Sequence, residues 1–330
     1  MVIWRGSVAT AALVLHAYVP ALARAQAYLY TTKDNRFECG RPKWEILLHA
    51  IIGGLFAENV VPPGSILDVG ANDGEMSCFY ATLDPSRKVH ALEPNIHTFR
   101  TLELNMRSAT KANIRTMNAG VSSHDRKYDP GRSNELVIGS RTAELPSFPV
   151  YRVDSLFGAT QQGSQAGQEA SVFPGEQLGF WHIDVEWHEL EALRGGVATV
   201  RRDQPFFTAE VHVHEKPAYT RKLAEFIEGL GYSMYLTDEI CGVRIDCRNL
   251  LCIPAASEAN LVASSHTLTL AIGSGVLRRV TSTSIFEAAP TPRSFKAFQA
   301  GRTSCGRDTA DAHFRHGHVK DPIYEFPRQN

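Results

Sequence analysis

The sequence predicts an α/β fold: a mostly parallel sheet with helices on both faces, closed by an antiparallel last strand pair. Three observations carry that reading. Strand-length apolar runs alternate with helix-length amphipathic segments between residues 65 and 121. The first run ends in a small-residue turn, Gly70-Ala-Asn-Asp-Gly74, where a strand hands over to a helix. Ordered runs then return at Gly179–Val185 and Phe206–Val213.

Taken in order, residues 41–58 place Trp44, Leu47, Leu48, Ile51, Ile52 and Leu55 at helical spacing, with Gly53 and Gly54 expected to weaken the end. Pro62, Pro63 and Gly64 break the chain. Ser65–Val69 reads as a buried strand, followed by a helix with Met76, Phe79 and Tyr80 on one face. Lys88–Leu92 is the second strand, and Asn95 is the expected N-cap of a helix carrying Ile96, Phe99, Leu102 and Met106. Ile114–Val121 holds a third strand and its exit loop. Residues 123–149 are polar, Val150–Val153 suits a short strand, and residues 158–177 read as a Gly/Gln/Ser-rich surface insertion. After Gly179–Val185, one helix carries Leu190, Leu193, Val197 and Val200. After Phe206–Val213, another carries Leu223, Phe226, Ile227 and Leu230 and ends at Gly231 as its C′ residue. Tyr232–Leu236 and Leu250–Ile253 form the antiparallel pair, and residues 255–330 show no convincing periodic core element and read as a loosely packed extension with short helical pieces.

Composition narrows the function classes. The chain has 330 residues, with 34 Lys+Arg against 35 Asp+Glu, which gives no reason to expect a nucleic acid as partner. With 43% hydrophobic and 21% charged residues the chain is globular, and six cysteines are too few for a disulfide scaffold. Residues 6–23 carry no formal charge and lie between Arg5 and Arg24, with small residues at Ala21, Ala23 and Ala25. That pattern reads as a signal peptide or signal anchor over residues 1–27, with possible membrane association through 6–23. It implies the secretory pathway or a membrane-anchored protein. The alternative is a cytoplasmic chain whose first helix packs on the domain.

The chemistry concentrates at two places. Asp68 and the glycine turn end the first strand, and Glu93 ends the second, 25 residues later. In a doubly wound sheet these ends are neighbours, and a carboxylate there can accept two hydrogen bonds from a ribose diol. A dinucleotide site would favour G-x-G-x-x-G, and the acids Asp68 and Asp73 would repel a pyrophosphate. They suit the sulfonium and amino groups of S-adenosylmethionine, which argues against a nicotinamide-dependent oxidoreductase. The second place is His182-Ile-Asp184-Val-Glu186-Trp-His188-Glu189, where residues 182, 184 and 186 point to one side of a strand. Glu210, His212 and His214 alternate on the next. Asp184 is the expected catalytic residue, orienting or deprotonating an acceptor hydroxyl, with His188 the second candidate. His182, Asp184, Glu186, His212 and His214 on adjacent strands are candidate ligands for a divalent ion, but they read as ordinary strand-end polar residues and no metal is assigned. The tail His313-Phe-Arg-His316-Gly-His318 reads as solvated. Cys241 and Cys247 are spaced to pair in an oxidising lumen, and Cys78 reads as core.

The blocks ILDVGANDG (66–74), ALEPN (91–95), NAGVSS (118–123), VDSLF (153–157) and HIDVEWHELEALRGG (182–196), with Pro205 to Glu210, occur in an order that resembles FkbM-type S-adenosylmethionine-dependent methyltransferases. The resemblance covers roughly residues 60–255. It implies the Rossmann-like class I methyltransferase fold with a seven-stranded sheet, S-adenosyl-L-methionine as cofactor, and O-methylation of a hydroxyl on a glycan or small molecule. It further implies that Asp68, Gly70, Asn72, Gly74 and Asp184 contact the cofactor, that Glu93 holds the ribose, and that Asn118 and Ala119 lie near the adenine. Glu186, Trp187, Glu189 and Glu210 fall to the acceptor side, Asp184, Glu186 and Glu189 matching the family's D-x-E-G-x-E pattern. The chain departs from the family at His182, commonly Lys, and at Trp187, commonly Gly. Trp187 fills part of the acceptor pocket, stacks on a sugar ring, or marks a catalytically inactive binding protein. The implied organisation is a leader over 1–27, a helical segment over 28–60, the methyltransferase domain over 61–255 and an extension over 256–330.

Overall fold

The computed structural model describes residues 39, 45–109, 111–128, 146–158, 171–239 and 246–289. The leader, most of the two polar loops, Cys241 and the histidine-bearing tail lie outside the described residues.

Eight strands form the main sheet in the order β11-β9-β10-β8-β7-β1-β2-β3. Five of them run parallel: β3 (Ile114–Met117), β2 (Val89–Leu92), β1 (Ser65–Val69), β7 (Leu178–Ile183) and β8 (Phe206–His212). Strand β10 (Cys247–Pro254) is antiparallel both to β8 and to β9 (Tyr232–Thr237). The Rossmann-like arrangement with an antiparallel closing pair is therefore the one expected. It gains one strand, β11 (Leu277–Val280), at the outer edge. Every residue of β1, β2, β7 and β8 is buried, as strands covered on both faces must be.

Helix α1 (Ile46–Ala57) packs on one face with α2 (Glu75–Leu83), over a core of Leu48, Ile52, Leu55, Phe180, Phe206 and Leu251. On the other face lie α5 (Glu189–Arg194), α6 (Val197–Asp203) and α7 (Pro217–Gly229), over Trp181, Leu193, Val200, Phe207 and Leu223. The segment expected as one helix after β7 is interrupted at Gly195-Gly196 and becomes α5 and α6. Helix α3 (Ile96–Ser108) begins where expected, with the Asn95 side chain accepting from the His97 and Thr98 backbone N–H groups. Gly231 follows the C-cap Leu230 with φ +82°, as a C′ glycine should. A small second sheet joins β4 (Gly120–Val121), β5 (Arg126–Tyr128) and β6 (Phe148–Tyr151), preceding the short α4 (Val153–Leu156).

The chain beyond residue 255 departs from the expectation of no core element. Helices α8 (Glu258–Ser264), α9 (His266–Gly273) and α10 (Ile285–Ala288) flank β11, and Leu268, Leu277, Val280 and Ile285 are buried. Two carboxylates tie this region and β9 to α1. Glu239, just past β9, accepts from the Leu47 and Leu48 N–H groups at 2.9 and 3.1 Å, capping α1 from 192 residues beyond Leu47. Glu58, just past α1, accepts from Thr267 N at 2.8 Å in the first turn of α9. The Gly53-Gly54 pair does not end α1; a Cβ at Gly54 would lie 2.4 Å from Thr267 Oγ1, so the close approach of α9 requires glycine there. A disulfide joins Cys39 to Cys78 of α2, with Cα atoms 5.1 Å apart, and Cys247 is also disulfide-bonded. Cys252 is the one free cysteine among the described residues. No described helix is long and apolar enough to cross a membrane.

Candidate active site

The site forms at the carboxyl edge of β1, β2, β7 and β8. Strand pairing puts Asp68 opposite His182 and His182 opposite Thr208, so Asp68, His182 and Thr208 share one face beneath α1. After β1 the chain turns sharply. Gly70 has φ +82°, and a Cβ there would lie 1.7 Å from the Asp184 carbonyl oxygen, so no other residue fits. Asn72 is also left-handed, with φ 48°, and Gly74 caps α2 with φ +94°.

Glu93 holds this turn. Its two carboxylate oxygens accept from Asn72 N at 3.0 Å and Asn95 N at 2.8 Å. Burial raises its pKa even against those two bonds. The Asn118 side-chain amide donates to the carbonyls of Glu93 and Pro94, both at 2.9 Å. Ala119 is fully buried in the core.

A cavity of about 120 Å³ opens beside the turn, lined by Asp68, Gly70, Asn72, Asp184 and His182 and roofed by Glu45 and His49 of the α1 segment. Five carboxylates (Glu45, Asp68, Asp73, Glu75 and Asp184) line it, and no Lys or Arg among the described residues does. Burial raises Asp68 to about 7 against the hydrogen bond from Ser77, and its Oδ1 is buried with no hydrogen-bond partner among the described residues. Burial, then the Asp184 and Glu239 charges, raises Glu45 to about 8. Burial lowers His49 to about 4 and His182 to about 3, so neither ring offers the cavity a positive charge at neutral pH. Asp184 stands well above the ordinary carboxylate range through burial and the charges of Glu210, Glu186 and Glu189. Glu93 and Asn118 lie along the same strand edge but outside this cavity wall.

The acceptor-side residues divide. Glu186 and Trp187 are both left-handed, with φ 51° and 71°. Trp187 thus occupies a backbone position that favours glycine, at a cost of about 1–2 kcal/mol. The Lys216 ammonium lies 3.3 Å from the centroid of its ring. Glu210 sits on β8, 5% exposed. Glu189 differs from its expected substrate role. It is 1% exposed, one oxygen accepting from Val185 N and Trp187 N and the other from the Tyr219 hydroxyl, so it shapes the turn instead. His188 also differs: it is buried and its Nε2 lies 3.0 Å from Ser122 Oγ, and it is not part of the cavity wall. Sequence reasoning missed Glu45 and His49, whose segment it read only as a helix.

This fold, with a glycine turn and a strand-end carboxylate at the carboxyl edge of the sheet, is the Rossmann-like arrangement of the class I methyltransferases. The methyltransferase FkbM domain model matches residues 68–234, just over half of the chain, and the chain belongs to that family. Among solved structures, the FkbM methyltransferase from Methylobacillus flagellatus KT matches with 13% identity and a TM-score of 0.40, over 71% of this chain and 59% of that one. The fibrillarin of Aeropyrum pernix, solved with natively bound S-adenosyl-L-methionine, matches with 11% identity and a TM-score of 0.36, over 61% of this chain and 73% of that one. The chain thus spans 59% of the length of the Methylobacillus protein. No curated protein matches it.

Proposed function

We propose that the protein is an S-adenosylmethionine-dependent methyltransferase acting on a hydroxyl of a glycan or small molecule. The observation that carries this reading is the acid-lined cavity beside the Gly70 turn. Its donor set fits a cationic ligand, and the unpartnered Asp68 Oδ1 gives that ligand a polar atom to meet. Asp68, Gly70, Asn72 and Asp184 would hold the methionine end, and Glu93 the ribose. When bound, the cofactor supplies an electrophilic methyl group on a sulfonium centre. The chain's own work is positioning, which can supply about 7–11 kcal/mol, whereas a placed base adds about 10²–10⁴-fold. Asp184 orients the acceptor hydroxyl and, in its ionised form, takes its proton, burial and the Glu210 charge favouring the protonated product. The Cys39–Cys78 disulfide supports an oxidising compartment, in keeping with the apolar leader.

One observation favours a second reading, a binding protein without turnover: Trp187 stands where the family commonly has glycine, with the Lys216 ammonium over its ring. Incubation of the purified chain and cell extract with labelled S-adenosylmethionine separates the readings. A 14-Da gain on one species supports the enzyme, saturable binding without product supports the second reading, and no binding removes both. In the enzyme, Asp184→Asn is expected to lower turnover at least 100-fold with cofactor affinity within about tenfold; near-full turnover removes the assigned role.

A further inference from the structure

Beside Asp184, the carboxyl end of β8 holds two side chains, Glu210 and His212, to which the proposed methyl transfer gives no role. Glu210 and His212 are two residues apart on β8 and share a face, and Asp184 is the next residue along β7 after the Ile183–Ala209 pair, opposite Glu210. The Asp184 and Glu210 carboxyl groups are hydrogen-bonded to each other. His212 is 3% exposed, and neither of its ring nitrogens has a hydrogen-bond partner among the described residues. Its Nε2 faces Glu210 Oε2 at 3.5 Å, and its Nδ1 faces Glu215 Oε2 at 3.4 Å. An imidazole with one nitrogen aimed at a ligand carboxylate and the other backed by a second carboxylate is the arrangement that orients metal-binding histidines. The donor atoms of Glu210, His212 and Cys247 all lie within 4.8 Å of one another. Cys247 is disulfide-bonded and offers no thiolate, which leaves oxygen and imidazole donors. The Trp187 ring meets His212 edge-on at 5.3 Å and covers one side.

We propose that Glu210 and His212 anchor a divalent-cation site that the adjoining Asp184 carboxylate completes when the ion binds, with Glu215 orienting His212. Two carboxylates and one imidazole suit a first-row ion of the manganese type. The rest of its coordination sphere is left to water or to an acceptor hydroxyl, which places the ion beside the group that Asp184 is proposed to orient. That role rests on the methyltransferase reading; the existence of the site does not.

The test is titration of the chelator-stripped full chain with Mn²⁺, reading free Mn²⁺ by electron paramagnetic resonance in the absence of any methyl donor. One ion per chain is expected. His212→Ala is expected to weaken binding at least tenfold, and the partly exposed Glu215→Gln about 10–100-fold. His97→Ala, on α3 and remote from the cluster, should bind as the parent does. Because His212→Ala removes a buried ring, its melting temperature is measured alongside, and Glu215→Gln carries the test if that variant unfolds. Binding well below one ion per chain, or unchanged affinity in Glu215→Gln and in a folded His212→Ala, overturns the proposal. S-adenosylmethionine binding is measured separately. Its failure with Mn²⁺ binding intact removes the methyltransferase reading alone, and the reverse removes the cation site alone.

Discussion

Glu93→Gln isolates what the second strand's carboxylate does. In the parent, one oxygen accepts from Asn72 N at 3.0 Å and the other from Asn95 N at 2.8 Å. A glutamine keeps one acceptor and turns an amide NH₂ toward the other N–H, so one charge-assisted bond is lost and the second loses its charge. Such bonds are worth about 1.5–3 kcal/mol each, and Glu93 is 7% exposed, so water replaces little of the loss. Removing a charge that burial disfavours offsets part of this, so the expected destabilisation is about 1–3 kcal/mol, or roughly 2–12 °C in melting temperature at 2–4 °C per kcal/mol. Differential scanning calorimetry reads it directly. A ribose role adds a separate effect, about 10–150-fold weaker S-adenosylmethionine binding by calorimetry at a temperature where the variant is fully folded. A melting point within 1 °C of the parent refutes the tethering argument; an unchanged affinity in the folded variant refutes the ribose argument alone.

Asp68 binds its proton up to about pH 7 in the fold against an ordinary value of 3.8, so its stabilising share is full below 3.8 and lost as pH rises through about 7. A cationic cofactor favours the ionised form, so affinity is expected to rise about tenfold from pH 6 to pH 8 and then level; a flat calorimetric profile contradicts this. Glu176 lies at the opposite edge of the sheet, where hydrogen bonds from Lys88, Ser65 and His90 outweigh burial and hold it at about 2. Its depressed value contributes stability above about pH 4.5 that is lost as pH falls through 2. Glu176→Gln should therefore cost about 2–3 kcal/mol at pH 7, read by urea denaturation, and nothing near pH 2. Cys39→Ser opens a loop closed across 39 residues and should lower stability by about 4 kcal/mol on the chain-entropy model. A reductant should lower the parent's melting temperature further than the variant's; equal shifts speak against that bond.

What the sequence made legible was local. Asn95 and Gly231 sit at helix ends whose chemistry is set within three or four residues, and both cap as expected. The Gly70 turn was legible because only glycine tolerates both its φ and the approach of Asp184 O. Long-range partners were not legible. The cap that Glu239 places on α1 spans 192 residues, and nothing near either end announces it. Strand β11 escaped because Leu277-Arg-Arg-Val280 is four residues long and its two central arginines, one half-buried and one exposed, interrupt any apolar run. Glu189 was assigned to the acceptor because a spacing pattern names residue types without the direction of their side chains; its oxygens turn inward to Val185, Trp187 and Tyr219.

The double anchoring of α1, through Glu239 at its start and Glu58 at its end, has a consequence for biosynthesis. A chain still emerging from the ribosome can assemble the glycine turn early, but the ceiling above it has no fixed seat until residues 239 and 267 have been made. Translation products that stop short of that point would present an uncovered acidic hollow, and the chamber is closed only once residue 267 has been made.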